Sequence, residues 1–170
     1  MTDIAIRTSR PGDGEKCAEL WRETGGVFAE MNPHLFHVPA AEGLAEWFEE
    51  LNAKRQDAKN RVLLIAEIDG VLAGILGAAL EEPLDPDGRE LQTDLNLRRM
   101  HIGVLAVAGA HRRSGVGTAL MGAAEEWGRE RGAEVVTVET ETNNPMSVPF
   151  YEQRMGFSAQ AFVFRKDLRE

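Results

Sequence analysis

Cysteine and tyrosine each occur once in this 170-residue sequence, as Cys17 and Tyr151. One cysteine excludes an internal disulfide and any cysteine-based metal centre. Cys17 falls at helical spacing with Leu20, Trp21 and Thr24, the setting of a buried apolar thiol rather than a nucleophile. Positive charge is also short: 19 Lys and Arg stand against 28 Asp and Glu, a formal net charge of −9. Such a surface argues against a nucleic-acid partner and mildly favours a cationic one. No apolar stretch approaches the ~20 residues of a membrane span, and the first residues lack a basic-then-apolar leader. The expectation is a cytoplasmic protein with no membrane partner. Repeats, linkers and low-complexity tracts are missing as well, which leaves a single mixed α/β domain over 1–170 as the expected organisation.

What is there divides into strands and helices by period. IAIRT, residues 4–8, reads as a short strand ending at the turn-forming SRPGDG, and a helix is expected over about 14–25. An irregular segment, GGVFAEMNPHLFHVPA, leads to a second helix near 40–57. RVLLIAEI and VLAGILGAAL, joined by Asp69-Gly70, carry the strongest hairpin signal in the chain. A polar loop over 81–98 precedes an apolar strand, MHIGVLAVA, and a helix over 115–131. EVVTVETE forms the next expected strand, followed by a short helix near 147–155 and a closing strand near 159–166.

AHRRSGVGTAL, residues 110–120, joins a strand to a helix through two arginines and two glycines. A helix N-terminus presents unpaired N–H groups and about half a positive charge, so it attracts anions. Gly115 and Gly117 remove side chains where a ligand must approach the backbone, and Arg112 and Arg113 add formal charge. The same glycines would also serve a tight strand-to-helix turn. A Walker loop needs G-x-x-x-x-G-K-[ST], which is absent. A dinucleotide fold fits worse than first sight suggests: Leu120 takes the place of the third glycine. The 31 residues after Glu139 are expected to be too few for the second half of such a sheet.

Arg112-Arg113-Ser114-Gly115-Val116-Gly117 resembles the [R/Q]-x-x-G-x-[G/A] loop of the GNAT superfamily of N-acetyltransferases. NPMSVPFYEQRMGF, residues 144–157, is similar to that family's N-x-x-A-x-x-F-Y-x-x-x-G-F segment, in the right order and separation. The resemblance implies a GNAT fold: a mixed, mostly antiparallel sheet with helices on both faces, whose two central parallel strands splay apart. Those strands would be 100–108 and 134–141. Acetyl-CoA is the implied co-substrate, with no metal. Backbone groups of Leu105, Ala106 and Val107 would pair with the pantetheine amides, and Arg112, Arg113, Ser114, Gly115, Val116, Gly117 and Thr118 would hold the diphosphate. Asn144 would touch the pantetheine arm.

Tyr151 takes the family's general-acid position. A thiolate leaving group, pKa near ~8.5, gains from a nearby phenol near ~10. The general base stays open among Glu81, Glu82, His101 and Glu139, with Glu141 beside the last. Glu30 and Asp94, near the implied acceptor mouth, would favour a polyamine, aminoglycoside-like or peptide amine. The implied function is direct transfer of an acetyl group to a primary amine of a small molecule or peptide in a ternary complex. The alternative is a non-catalytic module that holds coenzyme A or an acyl-CoA. The apolar stretch AQAFVFR could pair across a homodimer interface.

Overall fold

The computed structural model describes residues 3–169, the side chains of 56 and 57 excepted. The chain falls into two compact units divided between Val138 and Glu139, each described by itself.

The first unit is built on one five-stranded sheet in chain order: β1 (Ala5–Thr8), β2 (Arg61–Ile68), β3 (Val71–Glu81), β4 (Arg99–Val107) and β5 (Val135–Val138). All neighbours are antiparallel except β4 and β5, which run parallel. The β2–β3 turn is the Asp69-Gly70 pair, both at positive φ (+52° and +76°), as a primed hairpin turn demands. β2 and β3 are buried almost throughout. Their unbroken apolar runs follow from helices lying on both faces of the sheet.

On one face α1 (Gly14–Met31) and α2 (Leu44–Asp57) pack Cys17, Leu20 and Phe48 against Leu63, Ile65, Ile75 and Ala106. Burial pushes the Cys17 thiol up to about 12, which fits an inert core residue. On the other face α3 (Val116–Glu130) sets Val116 and Leu120 over Gly74.

α1 runs six residues past its expected end at 25. Gly25 does not stop the helix, because its place is set from outside: a Cβ there would lie 2.6 Å from Pro39 Cδ. The glycine admits the returning chain, and the Phe28 and Phe36 rings, 4.9 Å apart, hold it against the extra turns. Tertiary packing thus outweighs the ~1 kcal/mol that a mid-helix glycine costs.

Arg7 on β1 ties the sheet edge to the start of α1. Its guanidinium donates to both Asp13 oxygens (2.7 and 2.8 Å) and to Glu67 (2.7 Å). Burial raises the Asp13 carboxyl, but the Arg7 and Arg10 hydrogen bonds outweigh it and leave its pKa below 3.8. The Arg7 hydrogen bond likewise lowers Glu67. Depressed carboxyls stabilise the fold fully above their unfolded pKa values and lose that contribution as pH falls through the folded ones. Urea unfolding is expected to show stability falling below about pH 4. Arg7→Met should cost about 3 kcal/mol at neutral pH and flatten that acid limb. An equally steep limb in the variant would place its origin elsewhere.

In the second unit α4 (Ser147–Pro149) continues into a π-turn over Phe150–Arg154. Two expectations change beside these units. β5 stops at Val138 instead of reaching 141: residues 139–145 are polar, and no ladder partner follows Ile102. The closing strand near 159–166 does not form. Among the described residues nothing pairs with it, and Phe162, Val163 and Phe164 are 74%, 81% and 94% exposed.

Candidate active site

β4 loses one neighbour half-way along its length. β5 accompanies only Arg99–Ile102, with Ile102 opposite Val138 as the last pair. β3 follows β4 further, but its register slips between Gly77, opposite Val104, and Ala78, opposite Ile102. Gly103 is the extra residue of this bulge, which bends and twists the strand as the pairing with β5 ends. Beyond it, among the described residues, Leu105, Ala106 and Val107 are laddered to β3 alone. In an antiparallel pair alternate N–H and C=O groups point away from the partner, so these residues offer an open row of backbone donors and acceptors. An extended ligand carrying amides docks on such an edge as a further strand would.

The chain leaves β4 by a tight turn, Gly109–His111, and re-enters helix at Val116. Arg113 (φ +62°) and Gly115 (φ +94°) both take the left-handed conformation. Gly115 is the N-cap of α3 and supplies no side-chain acceptor, so the first-turn amides of Val116 and Gly117 face a potential ligand. The Val116 side chain is 1% exposed, turned into the core, and Gly117 has none. The result is a turn whose geometry suits an anion at the positive end of a 15-residue helix. Ser114 folds its hydroxyl onto the His111 carbonyl and so braces the loop. Leu105–Val107 and 112–118 therefore form one continuous strip.

One participant escaped sequence reasoning. Glu23 on α1 accepts the Gly109 N–H through Oε1 at 2.6 Å, and the same oxygen lies 3.7 Å from Arg112 Nη2. No pattern signals a contact between positions 86 residues apart.

The structure separates the base candidates. Glu81 holds Arg99 (3.0 Å) and Glu82 holds Arg98 (2.8 Å), so both carboxylates already neutralise a neighbouring cation. Glu139 is exposed at the start of the second unit. His101 is half-buried on β4, two residues before the bulge, and its Nδ1 lies 3.1 Å from Thr137 Oγ1 on β5. With Nδ1–H given to that hydroxyl, Nε2 keeps its lone pair for a proton.

In the second unit Asn144 is 1% exposed. Its Oδ1 accepts the N–H groups of Met146 and Ser147, both at 3.0 Å, and so starts the α4 turn. Its Nδ2 has no hydrogen-bond partner among the described residues. A buried donor left over in this way is suited to a ligand carbonyl. Tyr151 stands between Phe150 and Phe157, ring centroids 5.3 and 5.7 Å away. Burial pushes its hydroxyl up to about 12, so it remains protonated at neutral pH. Four residues separate Tyr151 from Gly156, one more than in the family segment it resembles. The π-turn absorbs the surplus, closed by Met155 N–H donating to the Phe150 carbonyl at 3.0 Å. Among the described residues no group of three His, Cys, Asp or Glu is placed to hold a metal ion.

The model of the acetyltransferase (GNAT) family matches residues 28–157. The chain belongs to this family. Streptothricin acetyltransferase from Streptomyces lavendulae is 30% identical over 171 residues, covering 90% of this chain and 80% of that protein. Acetyl transferase GW6a from Oryza sativa subsp. japonica is 44% identical over 54 residues, 32% of this chain, and the match spans only 13% of that longer protein. Among solved structures, a transcriptional regulator from Bacillus halodurans C-125 superposes with a TM-score of 0.74 at 22% identity, over 97% of this chain and 99% of its own. Aminoglycoside N-acetyltransferase AAC(6')-Iy, solved with CoA, gives 0.66 at 19% identity, over 99% of this chain and 97% of its own. At these identities the structures establish the GNAT fold: a mixed five-stranded sheet with helices. Among the described residues no helix is long and apolar enough to cross a membrane.

Proposed function

We propose that this GNAT protein is an acetyl-CoA-dependent N-acetyltransferase whose acceptor is a primary amine on a small cationic molecule, handled as one 170-residue domain. The observation that carries the reading is the end of β4–β5 pairing at Ile102 beside the uncapped N-terminus of α3. That strip fits coenzyme A in both of its parts. Leu105, Ala106 and Val107 offer backbone groups to the pantetheine amides; in the second unit, the Asn144 Nδ2, without an acceptor among the described residues, is a donor of the kind a ligand carbonyl takes. The amides of Val116 and Gly117, with Thr118, Ser114, Arg112 and Arg113, suit the diphosphate.

Bound acetyl-CoA supplies an acetyl group activated as a thioester. His101 Nε2 takes the proton of the incoming ammonium, because only the neutral amine is a nucleophile. Tyr151 returns a proton to the departing sulfur. The net charge of −9 suits a cationic acceptor, and the streptothricin acetyltransferase relative supports an amine of that class.

Release of free thiol from acetyl-CoA tests the reading across a panel of amines: streptothricin, aminoglycosides, polyamines and peptide N-termini. At least one cationic amine is expected to raise the rate well above acetyl-CoA hydrolysis. Tight CoA binding with no acceptor in the panel would instead mark a non-catalytic CoA-binding module.

A further inference from the structure

The contact between α1 and the cradle loop has a consequence for cofactor binding. Glu23 Oε1 is within 2.6 Å of the Gly109 nitrogen and 3.7 Å of Arg112 Nη2. The approach depends on glycine, since a Cβ at 109 would lie 2.9 Å from the same oxygen. Among the described residues Arg112 is otherwise tethered only to the strand end, where Nε donates to the Val107 carbonyl at 3.4 Å. Among the described residues Glu23 is the one carboxylate paired with Arg112, and Arg113 has no acidic partner. The loop meant for an anion thus already faces one, supplied by its own chain.

We propose that Glu23 is a positioning residue with two separable actions on the cradle: its oxygen fixes the Gly109 amide, and its charge competes with the ligand's phosphates for Arg112. This rests on the coenzyme A reading above. The hydrogen bond is neutral to ligand charge and holds the turn from which Arg112 projects. The ion pair opposes binding, because a diphosphate gains Arg112 only when the carboxylate releases it. Both side chains are partly exposed, so the exchange takes place in water-accessible surroundings and its cost is small. A cradle organised this way keeps its shape when empty and releases its cofactor product readily.

Glutamine separates the two actions, because its amide oxygen still accepts from Gly109 but carries no charge. Calorimetric titration with CoA is expected to give about fivefold tighter binding in Glu23→Gln than in the wild type, with a steeper salt dependence, as Arg112 is freed. Glu23→Ala loses the acceptor as well and is expected to bind about tenfold more weakly than the glutamine variant. Amide hydrogen exchange supplies a readout without ligand: Gly109 should be protected in wild type and Glu23→Gln and unprotected in Glu23→Ala. Binding in Glu23→Gln that equals or falls below wild type would overturn the competition, and Glu23→Ala binding as tightly as Glu23→Gln would overturn the positioning role. A Gly109 amide that exchanges freely in the wild type would overturn the contact itself, independently of CoA. Wild type that shows a protected Gly109 but binds no CoA would instead remove the coenzyme A reading, and the competition with it.

Discussion

Tyr151→Phe is expected to lower kcat for acetyl transfer by about 100-fold while leaving the Kd for CoA within about twofold. The substitution removes one oxygen and keeps the ring that packs between Phe150 and Phe157, so the second unit retains its aromatic cluster. What disappears is a proton donor. Because burial pushes the phenol up to about 12, Tyr151 stays protonated through neutral pH and offers its O–H to the sulfur as negative charge develops there. The loss should therefore shrink when the leaving thiol is more acidic than coenzyme A, since a better leaving group needs less help. Stopped-flow or steady-state thiol release with a more acidic thioester checks this. A loss that is the same for both donors would assign Tyr151 to packing.

His101→Gln should cost about 100-fold in kcat/KM at neutral pH, because glutamine has no basic ring nitrogen to take the ammonium proton. Glutamine keeps a hydrogen-bonding group opposite Thr137 but cannot accept the proton. Thr137→Val leaves the imidazole in place and removes the hydroxyl 3.1 Å from Nδ1, so the ring loses the contact that orients it. A smaller loss, about tenfold, is expected there. Glu81→Gln and Glu82→Gln break ion pairs to Arg99 and Arg98 and should leave kcat/KM within about threefold of wild type. Undiminished kcat/KM in His101→Gln, with a large loss in Glu81→Gln or Glu82→Gln, would return the base role to the carboxylates.

How far the chain could be read in advance depended on whether local chemistry or distant packing decides each element. Asp69-Gly70 declares its hairpin because the primed turn requires positive φ at both residues, a local demand. The start of α3 is legible for the same reason: Gly115, at positive φ, marks the turn where the helix begins. The longer α1 was hidden, since Gly25 answers to Pro39 and not to its own helix. The bulge at Gly103 was hidden too. It depends on register against β3, and a lone glycine in an apolar strand does not announce it. AQAFVFR has strand composition, but β-branched and aromatic residues make a strand only where a ladder partner exists. The π-turn at Phe150–Arg154 left one trace, the surplus residue between Tyr151 and Gly156, which a helix can take up only by widening a turn. Glu23 left none.

The central claim is that the open edge of β4 and the start of α3 together hold coenzyme A. Backbone amide chemical shifts followed through a titration with CoA test it directly. The largest changes are expected on Leu105, Ala106 and Val107 and on the amides from Gly115 to Thr118, saturating together. Saturation that leaves both stretches unmoved, or moves amides only elsewhere in the sheet, would contradict it.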